Sequence, residues 1–102
     1  MNNFLPILYS GFWDVPRIFL VEYSNSILLF DCKFEEIIDD YPSEYKVYLI
    51  PEHCQNDLKI AWDYFLNNSP DSIGEVVVAE VEFDETKRKF INDKVLKNLF
   101  IK

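Results

Sequence analysis

The sequence predicts an α+β fold: a mostly antiparallel sheet of about five or six strands, one main helix at about 57–67 packed on it, and a short C-terminal helix. Short β-rich runs are separated by short turn-forming stretches, and one apolar pattern recurs at the three-and-four spacing of a helix. The 102 residues are enough for one modest core and too few for two. A single domain over 1–102 is therefore expected.

The first predicted element is a hairpin. Residues 16–23 and 27–32 are rich in β-branched and aromatic residues. Between them stand Ser24, Asn25 and Ser26, which favour turns. A hairpin with a three-residue loop is the expected arrangement.

A further strand is predicted over 45–50. It should end at Pro51, which has no N–H to donate to a ladder. The preceding residues 34–42 show neither strand alternation nor a helix-length pattern, which predicts a loop or a single helical turn. The side chains expected to hold this segment are Phe34, Ile37 and Tyr41.

The main helix should begin after a cap at Asn56 or Asp57 and end in the turn formers of 67–72. Its apolar face is predicted to consist of Leu58, Ala61, Trp62, Phe65 and Leu66. We expect this face to lie on a sheet face built from Phe19 or Leu20, Leu28 or Phe30, Val47 or Leu49, and Val77, Val81 and Phe83. Each alternative is given because the sequence does not fix the strand register, and a shift of one residue exchanges the two faces of the sheet.

The C-terminal third predicts a strand, a turn, a short strand and a helix. Alternation over 74–83 indicates a half-buried strand with Val77, Ala79, Val81 and Phe83 on one side. Residues 84–86 can then turn the chain into a short edge-like strand over 87–91. Asn92 or Asp93 should cap a last helix that carries Val95, Leu96, Leu99 and Phe100.

Charge is distributed unevenly along the chain. Residues 1–86 hold seventeen acids and four bases, whereas residues 87–102 hold one acid and six bases. Within 31–44, six acids are opposed only by Lys33. A field of this density repels nucleic-acid phosphates, so no nucleic-acid partner is expected, and it speeds encounter with a basic protein. A solvated surface that only keeps the protein soluble is the alternative explanation.

Two stretches supply the candidate partner-binding residues. The acidic stretch contributes carboxylates and one aromatic ring, and the stretch 10–17 contributes residue types that often anchor interfaces. The predicted set is Glu35, Glu36, Asp39, Asp40, Tyr41, Glu44, Trp13 and Arg17. The alternative for 10–17 is structural: Phe12 and Trp13 plug one end of the core, and Asp14 caps a turn or pairs with Arg17. Arg17 could also pair with Asp31 across the hairpin.

Catalytic signatures are weak. The single histidine, His53, adjoins Cys54, and neighbours in a strand point apart, which does not suit a nucleophilic pair. Cys32 and Cys54 lie 22 positions apart without the paired spacing of a zinc site. The acidic stretch lacks the spacing and glycine of a calcium loop. No catalytic residue, metal or cofactor is therefore predicted, although a small enzyme or metal-dependent hydrolase using His53 or the acidic cluster is the alternative.

Other expectations concern location and assembly. The apolar stretches fall far below the roughly 18 to 20 residues that cross a bilayer, and the first residues do not resemble a secretory signal, so we expect a cytoplasmic protein with free thiols. If Arg88 and Lys89 lie on an edge strand, a symmetric dimer is possible, and a purely structural or oligomeric domain is a further alternative. In size and charge the chain is similar to many bacterial immunity, antitoxin and inhibitor proteins. That similarity and the acidic stretch predict a small non-enzymatic protein that binds a basic partner.

Overall fold

The computed structural model describes residues 3–54 and 57–100, except for the side chain of Phe100. Its strands are β1 Phe4–Trp13, β2 Val15–Tyr23, β3 Ser26–Asp31, β4 Glu44–Ile50, β5 Gly74–Val77 and β6 Phe90–Asn92. Its α-helices are α1 Leu58–Asn68 and α2 Lys94–Phe100, and 3-10 turns occupy Glu52–Cys54 and Val78–Glu80. These elements confirm the predicted α+β class.

The six strands form one sheet in the order β5-β4-β3-β2-β1-β6, and every neighbouring pair is antiparallel. The predicted hairpin is β2–β3, but its loop has two residues instead of three, because Tyr23 pairs with Ser26. Ser24 and Asn25 both have positive φ, 52° and 63°. Two left-handed residues give the twist that a two-residue hairpin turn requires.

Both faces of the sheet are covered. This explains why 19–21 and 27–30 are buried without a gap instead of alternating with polar residues. One face packs against α1 in a core of Leu20, Ile27, Leu29, Tyr48, Ile50, Cys54 and Ala61. The other packs against α2 and the segment before β6 in a core of Ile7, Phe19, Val21, Leu28, Phe30, Cys32, Tyr45, Val47, Val76, Val81, Ile91, Val95 and Leu96.

The strand register corrects the predicted contact face of α1. Of the expected sheet residues, Leu20 lies under the helix, whereas Leu28, Phe30 and Val47 belong to the opposite core. Leu29 and Tyr48 take their places, which is the one-residue exchange that an unknown register permits. On α1 itself, the prediction that Leu66 is a core residue is wrong, because 54% of this residue is exposed. The cap at Asp57 is confirmed by its carboxylate, which accepts a hydrogen bond from Ile60 N at 3.1 Å, and Asn56 lies outside the described residues.

The strand predicted over 74–83 is too long. β5 ends at Val77, a 3-10 turn follows, and Val77 and Ala79 are exposed, while Val81 and Phe83 pack in the core opposite α1. The short strand predicted over 87–91 begins only at Phe90. Segment 82–84 runs along β6, since Asn92 N donates to Glu82 O at 2.8 Å. Arg88 and Lys89 therefore lie in a turn and not on an open edge strand.

The C-terminal helix is positioned by its cap. Asn92 Oδ1 accepts a hydrogen bond from Lys94 N, the first residue of α2, at 2.9 Å, and Asp93 O accepts from Lys97 N at 3.0 Å. The buried Asp93 carboxylate accepts from Asn3 N at 3.2 Å and lies 3.7 Å from Lys97 Nζ. Within 3–54 and 57–100, no helix has both the length and the apolar character needed to cross a bilayer.

Candidate functional site

The acidic stretch forms a projecting loop between β3 and β4, which we call the acidic loop (residues 33–43). Glu35 N donates to Asp40 O at 2.9 Å, and Asp40 N donates back to Glu35 O at 3.3 Å. This backbone bridge closes a four-residue turn. Asp39 takes a positive φ of 53°, a conformation that Asp tolerates better than most side chains do. The shape of the turn is therefore defined by backbone hydrogen bonds and not by its exposed side chains.

The tip of the acidic loop is apolar and flanked by carboxylates. Ile37 is 98% exposed and Ile38 is 55% exposed. The expectation that Ile37 holds the loop is therefore wrong, because a four-residue turn directs its tip away from the rest of the chain. The carboxylates of Glu35, Glu36, Asp39 and Asp40 are exposed beside this tip. Exposed apolar area bordered by charge is typical of a protein-binding surface.

Aromatic and sulfur contacts hold the base of the loop. The Phe34 and Tyr41 rings meet edge to face with their centres 5.3 Å apart. Tyr41 is half-buried and packs against the core opposite α1, so it anchors the loop as well as contributing surface. The buried Cys32 thiol donates to Pro42 O at 3.4 Å. These contacts fix the direction in which the tip projects.

Arg17 connects the acidic loop to the turn between β1 and β2. Its Nε donates to Trp13 O at 2.9 Å, and its guanidinium carbon lies 4.2 Å from the centre of the Tyr41 ring. Trp13 is 62% exposed, so the interpretation that it plugs the core is wrong. Arg17 does not pair with Asp31, because Asp31 is opposite Ile18 in the register and hence on the other face from Arg17. The structure therefore brings Trp13, Arg17 and Tyr41 into one surface.

A cleft of about 490 Å³ opens on the other side of the loop base, over β4 and β5. Asp31, Lys46 and Glu75 are cross-strand neighbours there, and Glu44 begins β4 beside them. Burial raises the pKa of Asp31, against the attraction of Lys33 and Lys46. The pKa of Glu44 is raised by a side-chain hydrogen bond with Glu75 and by the negative charge of Glu75. The cleft was not predicted, since cross-strand neighbours are unknown until the register is known.

The structure places His53, a residue of the enzymatic alternative, outside the cleft that acidic side chains line. His53 is exposed in a 3-10 turn, with its ring 6.2 Å from that of Tyr64, and Cys54 is buried. Neither lines the cleft described above. In the part of the chain that the structure describes, no group of three His, Cys, Asp or Glu side chains could hold a metal ion.

The chain matches no protein family, no curated protein and no solved structure. Its function is therefore inferred from the geometry and charge of its own surface.

Proposed function

We propose that this chain is a small acidic protein-binding module that docks its acidic loop on a basic surface of a partner protein, as an immunity or inhibitor protein does. The observation that carries the proposal is the loop tip, where the 98% exposed Ile37 stands between four exposed carboxylates. An apolar side chain can fill a pocket of the partner, while the carboxylates select a basic rim and speed the encounter.

The charge of the loop is left available to a partner. Arg17 lies over the Tyr41 ring, and Lys33 Nζ lies 4.6 Å from the centre of the Trp62 ring. Among residues 3–54 and 57–100, Lys97 with Asp93 is the single ion pair within 4.0 Å. The nearby cations thus lie on aromatic rings instead of neutralising the loop carboxylates. Trp13 and Tyr41 extend the same surface with aromatic area.

A basic partner of the toxin, nuclease or nucleic-acid-binding class fits this chemistry, because such proteins display Lys and Arg for phosphates. The proposal includes a cytoplasmic location. Two free, buried thiols support it, since extracellular chains of this size usually pair their cysteines.

The test uses variants that change the loop surface without opening the loop. Asp39→Asn with Asp40→Asn removes two charges, keeps a residue that tolerates the positive φ at 39, and keeps the side-chain oxygen that Tyr41 N contacts at 2.7 Å. Ile37→Ser removes the most exposed apolar side chain of the tip. The control is Asp63→Asn with Asp71→Asn, which changes the charge equally at exposed positions outside the loop.

Each variant serves as bait in a native-host lysate, and the partner retained by the unchanged chain is purified for titration calorimetry. We expect both loop variants to weaken binding roughly ten-fold or more, and the control to leave it unchanged. Higher ionic strength should weaken binding to the unchanged chain. Binding indifferent to salt, or equal for loop variants and control, contradicts the proposal.

A further inference from the structure

The sheet face that carries α1 has an exposed apolar surface on β1 and β6. Leu8 pairs with Leu20, a residue of the core under α1, so the two side chains lie on the same face. Phe4 shares this face with Leu8, because side chains in a strand alternate, and Phe90 joins them through its pairing with Pro6. Phe4, Leu8 and Phe90 are 46%, 40% and 40% exposed. We call these three residues the β1–β6 patch.

An exposed glutamate lies on each side of the β1–β6 patch. Glu22 pairs with Ile27, a residue of the core under α1, so its side chain is on the same face as the patch. Glu82 precedes Phe83, which packs in the opposite core, so alternation directs Glu82 to the α1 face. Across the sheet the order is β2, β1, β6 and then segment 82–84. The patch therefore lies between the two carboxylates.

We propose that the β1–β6 patch binds a basic amphipathic helix of a partner protein, with its apolar stripe on the patch and its lysines or arginines beside Glu22 and Glu82. Three strand spacings of about 4.8 Å separate the two acids, or about 14 Å. A helix with its side chains is about 10–12 Å wide, so one helix fits between them. The same face already packs against a helix, α1, over the neighbouring strands.

Charge favours a basic partner over a second copy of this chain. A second copy carries the same net charge of −8 and would bring its own glutamates to the interface. Arg88, in the turn before β6, lies with its guanidinium carbon 4.1 Å from the centre of the Phe12 ring. Glu22 and Glu82 are thus the charges that border the patch on either side, and basic residues complement them.

The β1–β6 patch is separate from the acidic loop. Phe4 begins β1 and Trp13 ends it, about 30 Å away at about 3.3 Å per residue. Trp13 is the end that approaches the loop, because Arg17 binds its carbonyl oxygen and lies over the Tyr41 ring. The inference therefore goes beyond the proposed function and does not depend on it.

The experiment uses a synthetic helical peptide of about 18 residues with leucine on one face and lysine on the other. One control peptide has the same composition in scrambled order, and a second carries glutamate in place of lysine. Backbone amide shifts of the unchanged chain are followed by NMR during each titration. We expect saturable shifts around Phe4, Leu8 and Phe90 with the basic amphipathic peptide only.

Variants test both parts of the patch. Leu8→Thr should weaken peptide binding roughly ten-fold, because it removes the central apolar side chain. Leu49→Thr is the matched control and should leave binding unchanged, since it makes the same substitution at a 48% exposed strand position on β4. Glu22→Gln with Glu82→Gln should weaken binding several-fold at low salt, and Asp63→Asn with Asp71→Asn should not. The same spectra show whether each variant is folded.

Three results would overturn the inference: shifts confined to the acidic loop, equal binding of the glutamate peptide, or equal effects of Leu8→Thr and Leu49→Thr. Patch shifts that depend on chain concentration without peptide would show a second copy there, and would also overturn it. The loop variant Asp39→Asn with Asp40→Asn should keep the patch shifts. If that variant loses the lysate partner while the patch binds no peptide, this inference fails and the proposed function stands.

Discussion

The guanidinium of Arg17 lies 4.2 Å from the centre of the Tyr41 ring and joins the β1–β2 turn to the base of the acidic loop. We expect this contact to contribute about 0.5–1 kcal/mol of coupling, the range for a cation over an aromatic face. A double-mutant cycle with Arg17→Met and Tyr41→Leu, followed by urea unfolding, measures it. Strictly additive effects of the two substitutions would contradict the prediction, whatever Arg17→Met costs through its bond to Trp13 O.

The second prediction contrasts two aromatic residues on opposite faces of the sheet. Phe30 is fully buried and stacks on Phe19 with ring centres 4.6 Å apart, so Phe30→Ala should lower the free energy of unfolding by about 3–5 kcal/mol. Trp62 is half-buried, so Trp62→Ala should cost only about 1–2 kcal/mol. Urea unfolding of both variants gives the comparison. A larger loss for Trp62→Ala would show that α1, and not the core opposite it, dominates stability.

The third prediction concerns the pH dependence at Asp31. Burial raises its pKa above the ordinary 3.8, so folding disfavours the ionised form. The stability associated with the protonated carboxyl is fully present below 3.8 and is lost as pH rises through the folded-state pKa. Asp31→Asn should therefore raise the melting temperature at pH 7. This gain in melting temperature should vanish below pH 3.8. A gain that is equal at both pH values would assign it to packing instead of ionisation.

The fourth prediction concerns Asp84, whose carboxylate organises the turn before β6. Its two oxygens accept hydrogen bonds from Thr86 Oγ1 and N, Lys89 N and Phe90 N. These bonds hold the pKa of Asp84 well below 3.8, and the bond from the Thr86 hydroxyl makes the largest contribution. Stability from this carboxylate is present above 3.8 and lost as pH falls toward the lowered folded-state pKa. Asp84→Ala should lower the melting temperature at neutral pH, with a difference that narrows in acid.

The adjacent Glu85 is the matched control for Asp84, because it is exposed in the same turn. Glu85→Ala should change the melting temperature little at any pH. Equal effects of the two substitutions would mean that the turn responds to charge in general and not to the Asp84 hydrogen bonds.

The fifth prediction concerns the two thiols. Cys32 and Cys54 belong to the cores on opposite faces of the sheet, and each is 1% exposed. Burial also raises the pKa of the Cys32 thiol, which lowers its reactive thiolate fraction. We expect iodoacetamide to leave the native protein unmodified and to label both thiols in urea, as read by intact-mass spectrometry. Fast labelling of one thiol without denaturant would indicate local opening of its core.

Local pattern was sufficient for the elements with strong periodicity. The cap at Asp57 and the apolar spacing after it predict α1 to within a residue at each end, and Pro51 predicts where β4 ends. β1 does not follow from the sequence pattern, because Pro6 and Gly11 interrupt it and both residue types are depleted in strands. β1 forms because it pairs with β2, which follows it after a tight turn, and with β6, which is remote in the sequence.

The candidate site shows the same division. The excess of carboxylates around Asp39 is visible in the sequence, whereas the exposure of Ile37 is not, since an isoleucine ordinarily suggests a buried position. The contacts of Arg17 also could not be predicted without the strand register. The register places Arg17 on the other face from Asp31, where its guanidinium lies over the Tyr41 ring. Cross-strand neighbours such as Lys46 and Glu75 are set by tertiary pairing alone.

The closure of the acidic loop by backbone groups has a consequence for how this protein can change over generations. The bonds between Glu35 and Asp40 use main-chain N–H and C=O groups, so they do not depend on the side chains at 36–38, whereas position 39 requires a residue that accepts a positive φ. A few neighbouring codons can therefore be rewritten without loss of fold. Under the proposed function, such single substitutions would let descendants of this gene follow a mutating partner without losing the loop.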